Sequence, residues 1–265
     1  MLSLSEIIHA GDYMTGVRLH HRTIPAIPAF IRPPDLATAY RIQDVLVKRL
    51  LTRQGGAQIG YKIACTNDLA QNLLNVEAPL FGQLLSFSSY SSPARLDANQ
   101  LRVWVIESEF TFRMKENVPA SPEPYVAESM GAYVDALLPS IEIVTHHFED
   151  WAAVGAPSIA ADNAIHGAWI GGEAFTAWET LDLLNHNVSL IVNDGLLAQG
   201  TGAAVLGHPL HALAWLANEL PKHGRQLLQG ELITTGVCMN VYEAQAGDHL
   251  AADFGELGTV ELWLD

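Results

Sequence analysis

Two acidic residues are separated by a single serine in the stretch VWVIESEFTF, residues 103–112. The large apolar side chains of this stretch fall on one face of a strand, whereas Glu107 and Glu109 fall on the other. Neighbours on one face of a strand are about 7 Å apart, so the two carboxylates would repel each other, and burial would raise that cost. The pair therefore needs a physical cause.

A third acid, Glu142, lies in the apolar run LLPSIEIVTHHF, where full solvation is not expected. Three carboxylates that converge would suit a hard divalent cation, because Mg²⁺ and Mn²⁺ take oxygen ligands. The alternative is that each glutamate lies on the wet face of an antiparallel strand, which is a common arrangement. The residues alone leave both interpretations open.

A lysine, Lys62, stands in the short β-like run IGYKIACT between apolar neighbours. A lysine in that setting is expected to be partly buried, and burial disfavours its charge unless an anion lies near. Lys62 could therefore hold a substrate carboxylate or act as an acid or base. The alternative is a lysine with a buried stem whose ammonium reaches solvent.

The elements that would position these residues are mostly strands. They are predicted in the segments IGYKIACT, LRVWVIESEFTFRM, LLPSIEIVTHHF, AWIGG, VSLIVNDGLLAQG and VELWLD. One amphipathic helix is predicted to begin after Asp35 and to end at Gly55. Another, HPLHALAWLANEL, has Pro209 in its first turn and His208 as a capping or surface group. Strands outnumber helices without alternating with them, which favours an α+β fold.

The composition excludes several classes of protein. Of 265 residues, 49% are apolar and 16% charged, which allows a large core. The net charge of −15 argues against nucleic acid as a partner. Two cysteines, Cys65 and Cys238, indicate neither a disulfide framework nor a structural zinc site. The first residues lack the features of a signal peptide and no long apolar run occurs, so we expect no membrane partner and a cytoplasmic location.

An ordered series of segments resembles the 2-oxopent-4-enoate hydratase and 4-oxalocrotonate decarboxylase group of the fumarylacetoacetate hydrolase superfamily. From about Pro34 onward the segments are GYKIACT, VEAPLFGQLL, IESEF, PSIEIV, DNAIHG, GTGAAVLGHPLHALAWLAN, GELITTG and AGDHLAADFGELGTVEL. The resemblance implies a mixed β-roll or sandwich, fumarylacetoacetate hydrolase C-terminal-like, with flanking helices. We expect an N-terminal helical region, residues 1–58, packed on a catalytic β-rich domain, residues 59–265.

The resemblance also implies roles for the residues introduced above. An ExE pair and a later glutamate bind Mg²⁺ or Mn²⁺ in the family, and these positions correspond to Glu107, Glu109 and Glu142. The family's active-site lysine corresponds to Lys62, with Thr66 at the threonine position of the same motif. The implied metal acts as a Lewis acid toward a 2-oxo or 2-hydroxy unsaturated acid, while Lys62 neutralises the substrate or shuttles a proton.

Several positions depart from the family pattern, and the resemblance places them around the substrate. Leu80 replaces an aspartate that is expected to partner the lysine. The family's DNASSG reads DNAIHG here, so Ile165 and His166 replace small hydroxyl side chains. Val237 replaces a serine, and His147 replaces an arginine. The residues expected near the substrate are Thr66, Leu80, Asp162, Ile165, His166 and Val237.

The activity implied by the resemblance is that of a lyase in aromatic catabolism. Hydration of a 2-hydroxy-2,4-dienoate to a 4-hydroxy-2-oxo acid is favoured over decarboxylation of a 2-oxo-3-enedioate, and both would use the same enolate. The hydrolase branch is less favoured. The departures motivate a third hypothesis, a metal-binding partner subunit without turnover. The resemblance implies a homo-oligomer, or alternatively a complex with a paralogous decarboxylase or hydratase.

Overall fold

A computed structural model describes residues 2–265, which form six α-helices and thirteen strands. The helices are α1 (Leu4–Leu19), α2 (Leu36–Gln54), α3 (Asp68–Leu74), α4 (Ala127–Met130), α5 (Ala156–Ala161) and α6 (Pro209–Glu219). The strands are β1 (Gln58–Ala64), β2 (Leu80–Leu85), β3 (Ser89–Ser91), β4 (Ala94–Leu96), β5 (Val105–Met114), β6 (Val134–Val144), β7 (His166–Gly171), β8 (Asn187–Val192), β9 (Gly195–Thr201), β10 (Leu232–Val237), β11 (Tyr242–Glu243), β12 (His249–Asp253) and β13 (Thr259–Leu264). None of the described helices combines the length and the apolarity needed to cross a membrane.

The strands form two sheets. The larger sheet has the order β2-β1-β10-β5-β6-β7-β3, with β11 paired to β5, and it mixes parallel and antiparallel pairs. The smaller sheet has the order β4-β13-β12-β8-β9. Strands β2 and β7 stand far apart in the order of the larger sheet yet contact each other, so this sheet curls into a roll. The expected α+β fold with a mixed β-roll and flanking helices is confirmed.

The strand that carries the ExE pair has the alternation predicted for it. Strand β5 pairs antiparallel with β6 along almost its whole length, and Glu107 stands directly opposite Glu142 in this ladder. Ile106, Phe110 and Phe112 are fully buried in the core from the other face of β5. The pairing therefore brings together two acidic segments that lie some 30 residues apart in the sequence.

Local sequence signals set several element boundaries. The Asp35 side chain accepts a backbone N–H at the start of α2, and Gly55 ends that helix with a φ of 79°. Asn193 and Asp194 have φ values of 49° and 68°, the left-handed conformation of a tight hairpin turn between β8 and β9. His208 caps α6 as predicted.

The two long N-terminal helices pack on each other, and α2 also packs against α5 beside the larger sheet. This arrangement places the N-terminal region next to the β-roll. Strand β1 begins at Gln58, so a division between residues 1–58 and 59–265 falls at the start of the roll. The division into two units stays a prediction.

Candidate active site and metal centre

The three glutamates predicted as metal ligands lie together on β5 and β6. One carboxylate oxygen from each of Glu107, Glu109 and Glu142 lies within 4.8 Å of the others. Glu109 and Glu142 are fully buried, and Glu107 is partly buried. The wet-face alternative is therefore wrong for Glu109 and Glu142. These three glutamates and Lys62 are called the carboxylate cluster below.

Strand β10 binds Glu109 through only one of its two carboxylate oxygens. The Thr234 hydroxyl and the Gly236 backbone N–H, the latter at 2.7 Å, both donate to Glu109 Oε2. Gly236 has a φ of 105°, and a Cβ there would lie 1.8 Å from Thr66 Oγ1, so only glycine fits. By contrast, Glu109 Oε1 and Glu142 Oε2 are buried without a hydrogen-bond partner among residues 2–265. These two oxygens are free to take another ligand.

Lys62 reaches the cluster because the sheet curls. Strands β10 and β5 separate β1 from β6, yet Lys62 Nζ lies 3.1 Å from Glu142 Oε1. The lysine is 1% exposed, so the alternative of an ammonium that reaches solvent is wrong. Gly82, opposite Lys62 on β2, leaves room for the lysine stem, since a Cβ there would lie 3.1 Å from Lys62 Cγ. Leu80 provides no carboxylate, and Glu142 is the partner instead.

The charges of the carboxylate cluster depend on one another. Burial would lower the pKa of Lys62, but the neighbouring carboxylates, Glu142 above all, hold that pKa above its ordinary value. Burial would raise the pKa of Glu142, but Lys62 and His166 hold it below its usual range. Burial raises the pKa of Glu107 to about 7 and that of Glu109 well above its usual range. Glu107 and Glu109 therefore need a further cation to ionise together.

The segment DNAIHG turns the chain so that His166 meets Glu142. Residues 163–165 have φ values of 53°, 47° and 54°, which β-branched residues in particular rarely adopt. The Asn163 side chain stabilises this turn by exchanging two hydrogen bonds with the Gln83 backbone, at 2.7 and 2.9 Å. His166 Nδ1 then lies 2.9 Å from Glu142 Oε1. An ionised Glu142 assigns the proton to Nδ1, which donates it.

A second buried group of charges lies beside this turn and is called the Asp162 cluster. Asp162 Oδ1 accepts from Arg18 Nε at 2.6 Å, and Oδ2 lies 3.1 Å from His147 Nδ1. Arg18 also donates to the backbone oxygens of Asp162, at 2.6 Å, and His166, at 2.8 Å. Burial would raise the pKa of Asp162, but Arg18 and His147 hold it below its usual range. Helix α1 is thereby tied to the active-site turn.

A cavity of about 750 Å³ opens onto the carboxylate cluster, with Lys62 and Glu107 in its lining. Three residues expected near the substrate line it: Thr66, Ile165 and Val237. Most of the remaining lining side chains are apolar. The cavity thus presents a charged end and an extended apolar section.

The other residues expected near the substrate lie elsewhere. Leu80 and Asp162 are fully buried and are not part of the lining of this cavity. His166 contacts Glu142 but does not line this cavity; it lines a second cavity of about 520 Å³. Substrate contacts for all of these residues stay predictions.

Sequence reasoning missed several residues that build the site. Thr234 and Gly236 hold Glu109, and the glycine that ends GELITTG was an available signal for such a close approach. Arg18 takes the guanidinium position beside Asp162, whereas the family pattern places an arginine where His147 stands. No local signal marks Arg18, because it contacts a residue 144 positions away.

The carboxylate cluster fits a divalent cation on the evidence of its own atoms. Two fully buried oxygens lack a partner in the described chain, and three carboxylates lie close enough to share one ion. Carboxylate oxygens are hard donors that suit Mg²⁺ or Mn²⁺. Together with Lys62, such an ion would neutralise all three glutamates.

Comparison with known proteins finds similarity along the entire chain. The fumarylacetoacetate (FAA) hydrolase C-terminal family model matches residues 105–263. The 4-oxalocrotonate decarboxylase of Pseudomonas putida is 27% identical over 259 residues, which are 98% of this chain and 97% of that protein. The 2-hydroxyhexa-2,4-dienoate hydratase of Comamonas testosteroni is 33% identical over 227 residues, which are 84% of each chain.

Among solved structures, the fold is similar to 4-oxalocrotonate decarboxylase from Pseudomonas putida G7, complexed with magnesium and adipate. The TM-score is 0.93 at 25% sequence identity, over 100% of this chain and 99% of that one. This similarity includes the N-terminal helices, which lie upstream of the residues that the family model matches. The N-terminal region is therefore a shared part of the architecture.

Proposed function

We propose a divalent-metal-dependent lyase activity for this chain, which belongs to the fumarylacetoacetate hydrolase C-terminal family. The observation that carries the proposal is the carboxylate cluster, where two buried oxygens lack a partner in residues 2–265 beside a buried lysine. Glu107, Glu109 and Glu142 would hold Mg²⁺ or Mn²⁺. When bound, the ion supplies Lewis acidity toward the carboxylate and 2-oxygen of an unsaturated 2-oxo acid.

Lys62 would serve as the cation and proton donor of the site. The carboxylates around it hold its pKa above the ordinary value, so its ammonium keeps its proton at neutral pH. Lys62 lines the charged end of the cavity, where it can bind a substrate carboxylate or transfer a proton to a substrate atom. Ile165 and Val237 present apolar surface in the same cavity, which limits access of bulk water.

Hydration of a 2-hydroxy-2,4-dienoate to a 4-hydroxy-2-oxo acid is the leading reaction, within the catabolism of aromatic compounds. It is supported by the similarity to the hydratase of Comamonas testosteroni. Decarboxylation of a 2-oxo-3-enedioate is the second candidate, supported by the similarity to a decarboxylase over the whole chain. Both reactions polarise the same end of a 2-oxo acid, so the carboxylate cluster and Lys62 could serve either.

An ultraviolet assay of the purified protein tests the activity directly. The dienol absorbance of 2-hydroxypenta-2,4-dienoate should fall with Mg²⁺ or Mn²⁺ present and stay constant with EDTA. Release of CO₂ from 2-oxohex-3-enedioate would establish the decarboxylase instead. Tight Mn²⁺ binding without turnover of either acid would contradict the enzyme and support a partner subunit.

Replacement of Lys62 separates substrate handling from metal binding. Lys62→Ala is expected to lower kcat/KM by about 100-fold to 10,000-fold, the usual range for a positioned acid–base group, while Mn²⁺ affinity persists. The matched control is Lys48→Ala on the exposed face of α2, which should leave both quantities unchanged. Full kcat/KM in Lys62→Ala would remove this lysine from the mechanism.

We also propose that the chain assembles as a homo-oligomer. The alternative assembly is a complex with a paralogous decarboxylase or hydratase. The support is the family resemblance of the whole chain. Light scattering of the purified protein measures the assembled mass. A mass of one chain at working concentrations would contradict the homo-oligomer.

A further inference from the structure

The cavity beside the carboxylate cluster is larger than a five-carbon dienoate requires. Such an acid has about eight non-hydrogen atoms and, at roughly 30 Å³ for each, fills about 240 Å³. The cavity has about 750 Å³. Even with an ion and its water ligands at the charged end, much of the space is left for another part of the substrate.

The charges around this space favour a single carboxylate on the substrate. Among residues 2–265, Lys62 is the one lysine or arginine in the cavity lining. His146 also lines the cavity, but burial lowers its pKa, which keeps the ring uncharged at neutral pH. Glu243, on β11 opposite Val105, adds a carboxylate at the cavity. A second substrate carboxylate would therefore meet an acidic residue and no cation.

The walls away from the charged end are apolar. Val105 lies two residues from Glu107 on the same face of β5, about 7 Å along the strand, and Val103 continues the lining. Leu69 and Leu73 project from one face of α3 into the mouth of the cavity, and they are 78% and 49% exposed. Exposed leucines at a cavity mouth have apolar surface that a ligand can cover.

We propose that the substrate is a monocarboxylate whose end remote from the carboxylate carries an apolar substituent of several carbons, bound along Val103, Val105, Leu69 and Leu73. This inference rests on the proposed function, which places the substrate carboxylate at Lys62 and the metal ligands. It also assigns specificity within that function. The similar decarboxylase structure contains adipate, a dicarboxylate, whereas this cavity offers no cation for a second carboxylate within the described residues.

Binding of saturated 2-oxo acids tests the inference without turnover. Isothermal titration of the Mn²⁺-loaded protein compares 2-oxopentanoate with 2-oxooctanoate, which has three more methylenes. At about 0.8 kcal/mol for each buried methylene, the Kd of 2-oxooctanoate should be about 50-fold lower. 2-Oxohexanedioate should bind at least about tenfold more weakly than 2-oxohexanoate, because its second carboxylate loses solvation without gaining a cation.

A substitution in the cavity wall tests whether the preference for longer acids arises in this cavity. Val105→Phe fills the apolar section and should reduce the 50-fold preference to about fivefold. Val126→Phe is the matched control, because this valine is 54% exposed and is not part of the cavity lining. An equal preference in both variants would overturn the assignment of the tail to this section.

The outcomes separate this inference from the proposed function. A Kd independent of chain length, as expected if a second copy of the chain covers the leucines, overturns the inference even if dienoates are turned over. Tighter binding of the diacid overturns it as well and favours the decarboxylase. A Kd that falls with chain length supports the inference, and absence of dienoate turnover would then count against the lyase alone.

Discussion

The carboxylate cluster and the Asp162 cluster are neighbours with opposite degrees of hydrogen-bond satisfaction. Both are largely buried, and both combine carboxylates with basic side chains: three glutamates with Lys62 in one, and Asp162 with Arg18 and His147 in the other. In the Asp162 cluster each carboxylate oxygen has a partner, Arg18 or His147. In the carboxylate cluster, Glu109 Oε1 and Glu142 Oε2 have none within the described part of the chain.

The difference distinguishes a group of charges whose hydrogen bonds are satisfied within the described chain from one whose hydrogen bonds are not. Buried polar atoms are almost always paired in native proteins, because an unpaired one costs about 1–3 kcal/mol. Asp162 meets this requirement internally and joins α1 to the active-site turn. Under the proposed function, the carboxylate cluster would meet it when a cation binds, and its burial would then serve binding rather than stability.

The largest expected effect follows from removing one unpaired oxygen. Glu109→Gln keeps the shape of the side chain but replaces a carboxylate oxygen, and we expect Mn²⁺ affinity and kcat/KM each to fall about 1,000-fold or more. Because burial makes this carboxyl costly to ionise in the metal-free protein, the free energy of unfolding in EDTA should rise or stay constant. Titration with Mn²⁺ and urea unfolding in EDTA measure the two quantities. Unchanged Mn²⁺ affinity would contradict a ligand role.

The same substitution in the Asp162 cluster should have the reverse profile. Asp162→Asn leaves Arg18 without its carboxylate, so the free energy of unfolding should fall by about 3 kcal/mol, as is typical when one partner of a buried ion pair is removed. Mn²⁺ affinity of the folded protein should change less than about threefold. Urea unfolding and Mn²⁺ titration again provide the comparison.

A double-mutant cycle is the control for this prediction. If Arg18 and Asp162 act as one pair, the double variant Arg18→Met with Asp162→Asn should lose less stability than the sum of the single variants. Strict additivity would show that the pair does not stabilise the fold. A large loss of Mn²⁺ affinity in Asp162→Asn would erase the distinction between the two clusters.

Sequence reasoning identified the parts of the carboxylate cluster but not its contacts. Alternation along β5 and the apolar run around Glu142 predicted strands, and the family resemblance brought the three glutamates and Lys62 together. The register that sets Glu107 opposite Glu142 could not be read from alternation, because alternation fixes a face and not a partner. The contact between Lys62 and Glu142 depends on the curl of the sheet, a property of the whole roll.

The Asp162 cluster was beyond prediction for a different reason. It joins α1 to the turn before β7, and no periodicity connects elements that far apart in the chain. The turn itself contradicts local preference, since Ile165 has a φ of 54°. The side chain of Asn163 fixes this turn by pairing with the backbone of Gln83, so tertiary contacts outweigh the preference of the isoleucine.

His166 contacts both clusters and gives an intermediate prediction. Its backbone oxygen accepts from Arg18, while its ring holds Glu142. His166→Leu should weaken Mn²⁺ binding by about 10-fold to 100-fold, the usual effect of losing a group that orients a metal ligand. His166→Asn, whose amide can still donate to Glu142, should recover most of this affinity. Equal affinities for the two variants would show that the hydrogen bond does not position Glu142.

The pH dependence of the metal-free protein also compares the two clusters, because their contributions to stability change with pH in opposite directions. Burial raises the pKa of Glu107 from 4.5 to about 7, so the folded state binds its proton more tightly than the unfolded state. The resulting stability is fully present below pH 4.5 and is lost as the pH rises through about 7. The depressed pKa of Asp162 acts the other way: its contribution is present above about pH 3.8 and is lost as the pH falls.

Urea unfolding in EDTA should therefore show decreasing stability between pH 4.5 and 7, and this decrease should be smaller in Glu107→Gln. Saturating Mn²⁺ should abolish the decrease, because the ion favours the ionised carboxylate that burial alone disfavours. Rising stability over this range in EDTA, with the same slope in Glu107→Gln, would show that the buried glutamate imposes no cost in the metal-free fold.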